Sequence, residues 1–582
     1  MEIFRGVCGD PLLLCSIYKW YDRQGSSTNV FRDMITGFGR LATERPQLIG
    51  ATQGGRDSID HGAGASSYSL HVFLTLNYLS LYISSIDQLD KADPPTIPET
   101  YIFYLAAVCL NAIADGLAGF ALPRFAAGSQ RSTTPDPSSS SSNDSNAKRD
   151  LALITDMANV AWPGLLAAMS FYLSANLDEE LFQSTMRSYQ NFTNVCGVLD
   201  LIVPRDAFLT NLCKDAIPAA PVLSSGLFSN KNTGSSTSIA TNVSTATMAI
   251  AYSDLPVQQQ QVLANIVLSD KNLYSLRVLL NIAMFLGGVL GPSWYLILET
   301  LQQADFLLFN RPTPKGTAPG AREPGPPSVR RTLSGTAATV SSVATQVNPT
   351  STDQPSTSQL MDADHIAIIH GSLNRLFENS RFLDDGAFNA FTVALCRLSS
   401  EASGLPSQEE ESLPSTKSSR AKIFNKTSFA IEKLRYISTL DMGRLINPDR
   451  DPGTWDLITT HLIATANYPG TPSTIRTQCC ESIADIIITA MDFSLSEHKE
   501  PDEKLQIRLL TALNQCINYM PAKGESPLFN SNNEGEKFKA FTEVQQTGLE
   551  TLNKLLQTSG HSFTCGWGLI FEMSSTIQWK LR

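Results

Sequence analysis

The residues of this 582-residue chain that are able to do chemistry do not occur at the spacings that chemistry requires. The ten cysteines stand singly apart from the Cys479–Cys480 pair, so no CxxC motif indicates a zinc site or a disulfide framework. His365 and His370 are five positions apart, whereas two metal-ligating histidines on one helix face usually occupy positions i and i+4. Single buried cysteines behave as small hydrophobic residues and are typical of a reducing cytosol. We interpret these residues as structural.

Two other groups of residues could imitate a catalytic site. Gly287, Gly288 and Gly291 form a glycine-rich turn, but this turn lacks the Gly-Lys-Ser/Thr ending of a phosphate loop and follows a helical pattern instead of a strand. The acidic pairs Glu179–Glu180 and Asp384–Asp385 stand at predicted helix starts, where they complement the helix dipole. No Gly-x-Ser-x-Gly, HExxH or dinucleotide motif occurs. We therefore predict no catalytic, cofactor-binding or metal-binding residues, no cofactor and no enzymatic activity.

The charge of the chain bears on its partners. Lys and Arg number 44 against 55 Asp and Glu, which gives a net charge of −11. A net-acidic chain without a basic stripe is a poor candidate for a nucleic-acid-binding protein. We predict no nucleic-acid partner and no small-molecule substrate.

Two stretches, Tyr68–Ser84 and Tyr101–Phe120, are apolar enough to be tested as membrane spans. Each contains polar residues, among them His71 and Asp115. A charge near the centre of a bilayer costs ~2.5–3.5 kcal/mol even on the insertion scale. We interpret both stretches as buried helices and predict that any membrane association is peripheral.

The elements that organise the chain lie between Pro163 and Pro218, where the sequence indicates three consecutive helices with short connections. Pro163 suits the first position of a helix, where the missing N–H costs nothing. Asp178 is placed to cap the second helix. Gly197 and Asp200 are predicted to end that helix, and Pro204 with Asp206 to start the third.

Apolar residues recur at helical spacing here and further along the chain. The predicted buried faces are Phe182, Met186, Tyr189, Thr193 and Cys196; Leu273, Leu276, Leu280 and Ala283; Ile297, Leu301, Ala304 and Leu308; and Phe388, Phe391, Leu395 and Leu398. Helices this short cannot bury an apolar face alone, so each needs a packed neighbour. No stretch alternates with the period of a strand. We predict an all-α fold, an armadillo- or HEAT-like α-solenoid of irregular helical pairs interrupted by disordered Ser/Pro-rich linkers.

Composition also sets the predicted boundaries along the chain. Helical blocks are expected at 1–50, 51–127, 148–218, 251–310, 361–401 and 421–582, with disordered linkers at 128–147, 219–250, 311–360 and 402–420. The linkers are polar and of low complexity, and cannot bury enough apolar surface to order themselves. Arg205 and Asp206 are the polar residues with the most open interpretation. They either cap and pair across a helix junction or contact a partner.

Several of these segments resemble the Mon-two family, whose members are large peripheral membrane proteins of the Golgi and endosomes and distant relatives of the large Arf guanine-nucleotide exchange factors. The most specific segment is FTNVCGVLDLIVPRDAFLTNLCK, and GGVLGPSWYLILETLQ, FLDDGAF and SGHSFTCGWGLIF are similar too. The opening CGDPLLLCSIYKWYD and NVFRDMITGFGRLA look like the end of the homology region upstream of the exchange domain. The matching positions there are Cys8, Asp10, Pro11, Tyr21, Asp22, Asn29 and Phe31.

The catalytic Pro-Gly-Glu loop of the exchange factors does not occur in this chain. Members of the Mon-two family also lack this loop. They are longer on both sides, so the chain is expected to be a fragment that resembles a middle portion. The resemblance implies a non-catalytic scaffold in vesicle-mediated protein transport between endosomes and the trans-Golgi, associated peripherally with the cytoplasmic face of these membranes. The implied partners are an Arf-like small GTPase, a Dopey-type protein and, through it, a lipid flippase complex.

Two alternatives to a scaffold remain. The chain could be part of an active large Arf exchange factor whose catalytic domain lies outside it, but that domain is expected between about Leu41 and Ser66, where its loop does not occur. It could also be a generic armadillo-type transport adaptor, which more often shows regular repeats and a charged inner groove.

Overall fold

The computed structural model describes residues 27–44, 101–130, 143–175, 177–218, 268–308, 357–405, 428–447, 450, 453–468, 470–497, 503–518 and 534–580. Within these ranges the chain forms sixteen α-helices and three short 3-10 helices, and no strand. The predicted all-α fold is confirmed. Predictions for Tyr68–Ser84 and for the interior of the linkers fall outside the described residues.

The helices are α1 (Ser27–Glu44), α2 (Tyr101–Gln130), α3 (Asn143–Ser174), α4 (Glu179–Val198), α5 (Ile202–Ala216), α6 (Asp270–Leu286), α7 (Trp294–Leu308), α8 (Thr357–Glu378), α9 (Asp385–Ser403), α10 (Phe429–Leu440), α11 (Met442–Leu445), α12 (Thr454–Asn467), α13 (Ser473–Glu497), α14 (Glu503–Ile517), α15 (Glu534–Ser559) and α16 (Trp567–Lys580). The 3-10 helices are Gly291–Ser293, Asn379–Phe382 and Gly560–Ser562.

The helices are arranged in two layers. In the first layer α2, α4, α6, α8, α10, α13 and α15 pack in that order, and in the second layer α1, α3, α5, α7, α9, α12, α14 and α16 do the same. The four-residue α11 is inserted between α10 and α12 and shifts the alternation by one place. Each long helix therefore contacts the helix of the next pair in its own layer, which is the packing of an α-solenoid. The predicted solenoid is confirmed.

The two layers give the solenoid two edges. We call the corner edge the one formed by the turns that lead from a first-layer helix to a second-layer helix, and the linker edge the one formed by the turns that lead back. The five longest intervals between successive described helices all lead from a second-layer helix to a first-layer helix: 45–100, 217–269, 309–356, 404–428 and 518–533. On the corner edge, α4 and α5 are joined by 199–201, and α6 and α7 by 287–293.

Aromatic side chains join successive helical pairs in the core. The ring of Trp294 on α7 lies 4.6 Å from the ring of Phe391 on α9, and Phe377 on α8 lies 5.7 Å from Phe391 and 6.0 Å from Phe429 on α10. The predicted apolar faces are buried, with one difference: Leu308 is half-buried, and Leu307 takes the core position. Helical spacing identified the core because each helix buries one face against its neighbours.

One predicted helix boundary is wrong and another is confirmed. Pro163 lies inside α3, which continues to Ser174. Packing overrides the local signal there, since α3 is held against α1, and a Cβ added at Gly164 would lie 2.6 Å from Ile35 Cγ2. The break predicted at Gly197 and Asp200 is confirmed, because α4 ends at Val198 and Asp200 has a φ of +55°. Gly197 itself lies in the last turn of α4, where an added Cβ would lie 2.5 Å from Leu286 Cδ2.

The predicted linker at 128–147 is helical at both ends. Helix α2 extends to Gln130, and α3 begins at Asn143. Likewise α8 begins at Thr357, inside the linker predicted at 311–360.

Two stretches within the described residues, Phe103–Phe125 and Arg149–Ser174, are long and apolar enough to cross a membrane. The first is mostly buried, and its polar groups bond to α4. Asn111 Nδ2 donates to Thr185 Oγ1 at 3.1 Å, and Ser188 Oγ donates to Asp115 at 3.0 Å. These bonds support the interpretation of α2 as a core helix, because a packed neighbour satisfies the polar side chains.

Candidate functional site

The described thiols and the buried imidazole are placed for packing. Burial raises the pKa of the Cys213 and Cys396 thiols to about 12 and of the Cys480 thiol to about 11, while the thiolate is the nucleophilic form. Burial lowers the pKa of His461 to about 4, so its imidazole is neutral, and its Nε2 has no hydrogen-bond partner. The arrangement offers no activated nucleophile at these positions.

The histidines and acidic residues singled out in the sequence have structural positions. His365 and His370 are exposed on α8, and no group of three or more His, Cys, Asp or Glu able to hold a metal ion occurs among the described residues. Asp178 accepts from the N–H of Leu181 at 3.2 Å, which confirms the predicted cap of α4. Asp384 accepts from the N–H of Ala387 at 3.0 Å and caps α9 in the same way.

Arg205 joins two successive corners. It is 3% exposed, and its Nη1 donates to Val289 O at 2.5 Å while its Nη2 donates to Ser293 Oγ at 3.0 Å. Asp206 pairs with Arg205 at 2.9 Å and accepts from Ser293 Oγ at 2.7 Å. Of the two interpretations left open by the sequence, the structure shows the pairing across a helix junction. A charged hydrogen-bond network thus ties the start of α5 to the α6–α7 corner.

The α6–α7 corner in turn contacts the α8–α9 corner through close packing. A Cβ added at Gly287 would lie 2.9 Å from Leu383 Cδ2, and Trp294 Nε1 donates to Gly287 O at 3.2 Å. Gly291, with a φ of +51°, completes the turn in a conformation that favours glycine. The predicted glycine-rich end of α6 is confirmed, and its physical role is close approach.

Arg444 on α11 makes the corresponding link one pair further along. Its Nη2 donates to Arg381 O at 3.1 Å and to Leu383 O at 2.7 Å, and its Nε lies 3.2 Å from Asp385 Oδ1. The guanidinium carbon lies 4.6 Å from the centre of the Phe388 ring. Little in the sequence indicates this role, because Arg444 is a single charge within a short apolar segment.

Large apolar side chains are exposed on these same corners. We define the corner ridge as Ile202 and Val203 at the α4–α5 corner, Phe285 and Val289 at the α6–α7 corner, and Phe382 at the α8–α9 corner. Val203 is 68% exposed and Phe382 79% exposed. Single exposed apolar residues are normal, but a row of them on interlocked corners is typical of an interaction surface. The sequence signal for this surface is the presence of apolar residues at and beside helix junctions, where polar residues are usual.

The two layers of stacked helical pairs place the chain in the class of α-solenoids, which offer an extended surface. No family model matches the chain. The chain is 27% identical over 629 residues to Protein MON2 homolog of Xenopus laevis, 27% over 631 residues to that of Homo sapiens and 24% over 615 residues to that of Drosophila melanogaster.

These alignments cover 99% of this chain and 32–33% of the relatives, so the chain spans about a third of the length of the curated proteins it matches. They confirm the resemblance to the Mon-two family over nearly the whole chain. The coverage is consistent with the predicted middle portion.

Proposed function

We propose that this chain is part of a non-catalytic helical scaffold that acts in vesicle-mediated protein transport between endosomes and the trans-Golgi. The observation that carries the proposal is the similarity to MON2 homologues over 99% of the chain. The solenoid supports it, because stacked helical pairs offer an extended surface to protein partners. The scaffold associates peripherally with the cytoplasmic face of these membranes.

The proposed partners are a Dopey-type protein and an Arf-like small GTPase, with a lipid flippase complex reached through the Dopey-type protein. The exchange-factor alternative requires a catalytic domain, and no Pro-Gly-Glu loop occurs in the sequence. The adaptor alternative is less well supported than the scaffold, because the alignment to one family covers 99% of this chain.

Affinity purification tests the proposal. The tagged 582-residue chain is purified from its own cells with a GTP-locked Arf-like protein, and with the GDP-locked form as the control. We expect a Dopey-type protein to be recovered, more of it with the GTP-locked form, and no nucleotide release from the GTPase in a companion exchange assay.

Three results would contradict the proposal. Catalysed nucleotide release indicates an exchange factor, and recovery of transport cargo without a Dopey-type protein indicates a generic adaptor. Recovery of no partner by a soluble, folded chain argues against partner binding by this third of the family.

A further inference from the structure

We propose that the corner ridge is the docking site for an amphipathic α-helix of a protein partner, with apolar residues facing the ridge and Lys or Arg flanking them. This inference rests on the proposed scaffold function and adds the chemistry of the partner. It is carried by three features of the corner edge: rigidity, spacing and charge.

The ridge is rigid because its corners are tied together. Arg205 bonds Val289 O, so Val203 and Val289 are held in fixed relation at successive corners. Leu383 packs against Gly287, and Arg444 bonds Leu383 O, which fixes the loop that carries Phe382. A surface that is already ordered loses little conformational entropy when a partner binds.

The spacing of the corners suits a helix. Neighbouring helices pack about 8–10 Å apart, so successive corners of the same layer are expected at that interval. An α-helix advances about 10 Å in seven residues, since each residue adds about 1.5 Å. A partner helix that lies along the corner edge therefore places one apolar side chain on each of Val203, Val289 and Phe382 when its apolar residues recur every seven positions.

The charge of the three corners indicates which polar residues the partner helix should carry beside its apolar face. Residues 199–206, 285–293 and 378–385 together carry five carboxylates and two guanidinium groups. Asp206 is paired with Arg205, and Asp385 is paired with Arg444 and Arg450 from outside these ranges. Asp200, Glu378 and Asp384 are exposed, against the single exposed guanidinium of Arg381 within the ranges. Exposed carboxylates beside an apolar row favour a basic partner and oppose approach to an anionic lipid surface. This is the reason for assigning the ridge to a protein helix and not to a membrane.

The test uses the full 582-residue chain and a synthetic fluorescent peptide that is helical, with Leu at heptad spacing and Lys on the flanking positions. A second peptide has Glu in place of Lys, and a third has the same composition with the Leu spacing broken. Fluorescence anisotropy measures the affinity of each peptide. We expect the basic heptad peptide to bind, with affinity that falls as salt rises, and the other two peptides to bind at least about tenfold more weakly.

Variants then assign the binding to the ridge. Val203→Ser and Phe382→Ser each remove one apolar contact and are expected to weaken binding about tenfold. Val393→Ser is the matched control, since Val393 is 46% exposed on α9 away from the corners, and it leaves affinity unchanged. Glu378→Lys weakens binding severalfold in low salt, whereas Glu180→Lys on the linker edge does not.

Failure of the basic peptide to bind, equal binding of the acidic peptide, or equal affinity of the ridge and control variants overturns the proposal. Binding to phosphatidylserine-containing phosphatidylcholine vesicles that is lost in Val203→Ser and Phe382→Ser assigns the ridge to a membrane instead. A dimer that dissociates in these variants during analytical ultracentrifugation assigns it to a second copy of the chain. The peptide assay needs no cellular partner, so its failure is separable from failure to recover a Dopey-type protein.

Discussion

The two edges of the solenoid differ in how their turns are held. On the corner edge a buried arginine, Arg205, makes hydrogen bonds to backbone and side chain of the next corner, and Arg444 repeats this further along. On the linker edge half-buried Lys271 donates from Nζ to Ala175 O at 2.8 Å. Buried Arg476 donates there to Ala466 O and Thr471 O beside its own turn, and it pairs with Glu543 of α15 at 3.5 Å. The five longest intervals between described helices also fall on the linker edge.

This difference shows how a solenoid accommodates long intervals between its helices. Contacts between successive corners hold the helical pairs together, and the cost of closing a loop at the other edge grows slowly with its length. The edge with these contacts is also the edge that exposes the corner ridge. Interlocked corners and exposed apolar side chains thus lie together, and the longest intervals lie opposite.

Removal of a corner arginine is expected to have the largest effect on stability. Arg205→Ala leaves Val289 O, Ser293 and Asp206 without their charged partner, and should lower the free energy of unfolding by about 2–4 kcal/mol. Urea denaturation measures the total effect, and hydrogen exchange should increase at residues 287–293. Lys271→Ala is the matched change on the linker edge and should cost about 1 kcal/mol. Equal effects of the two variants would contradict the difference between the edges.

A pH titration distinguishes the stability of the buried interior from the order of the corners. His461 on α12 is buried, and its folded pKa of about 4 is below the ordinary value of 6.5. The unfolded chain therefore binds the proton more readily, so stability contributed by the neutral imidazole is lost as pH falls from about 6.5 to about 4, by up to about 3 kcal/mol.

His461→Leu should remove this part of the pH dependence, as followed by urea denaturation at several pH values. Asp215, whose pKa burial raises to about 6, acts in the opposite direction over part of the same range, and so the difference between variant and parent is the quantity to compare. The protection of the amides at residues 287–293 against hydrogen exchange, corrected for the intrinsic pH dependence of exchange, should not change, because the guanidinium groups that hold the corners stay charged. A pH dependence that is identical in His461→Leu would contradict the assignment.

Two adjacent glycines allow the contact between the α6–α7 and α8–α9 corners to be tested with a single added methyl group. Gly287→Ala puts a Cβ 2.9 Å from Leu383 Cδ2 and 3.3 Å from Ala283 O, and should lower stability by about 1–2 kcal/mol as the α8–α9 corner shifts. At Gly288 nothing lies within 4 Å of an added Cβ, so Gly288→Ala should change stability by less than about 0.5 kcal/mol. Thermal and urea unfolding of both variants measure the difference. A Gly287→Ala variant as stable as Gly288→Ala would show that the two corners are not in close contact.

The sequence predicted those features that depend on neighbours a few positions away. Asp178 was identified as a cap because the donor N–H lies three residues on, and Asp384 was placed at a helix start, where it also caps. The buried faces were identified because helical period and burial are linked. Pro163 was misread as the start of a helix, because packing of Gly164 against Ile35, which is distant in sequence, decides that region.

The corner edge could not be predicted in the same way. Arg205 and Val289 are 84 positions apart, and nothing in the local sequence indicates which turns meet. Arg444 and Leu383 are 61 positions apart, and their contact depends on the alternation of layers, which the four-residue α11 shifts by one place. A pattern of apolar residues in turns becomes meaningful only when those turns are known to share an edge.

The smallest effect is expected from shortening a connection on the linker edge. Deletion of residues 320–345, which belong to the linker predicted between α7 and α8, should change the free energy of unfolding by less than about 0.6 kcal/mol, since halving the length of a loop changes its closure entropy by about that amount. The matched change inserts the same number of Gly and Ser residues between Gly288 and Val289. That insertion separates Val289 O from Arg205 and should destabilise the chain at least as much as Arg205→Ala.

Urea denaturation compares the two length variants directly. A deletion at 320–345 that unfolds the chain would mean that the connection contributes to the packed structure, and an insertion at the corner without effect would mean that the arginine contacts do not hold the corners together. If the deletion is tolerated and the insertion is not, the order of the helical pairs depends on one edge alone. The linker edge is then free to differ in length without disturbing the ridge.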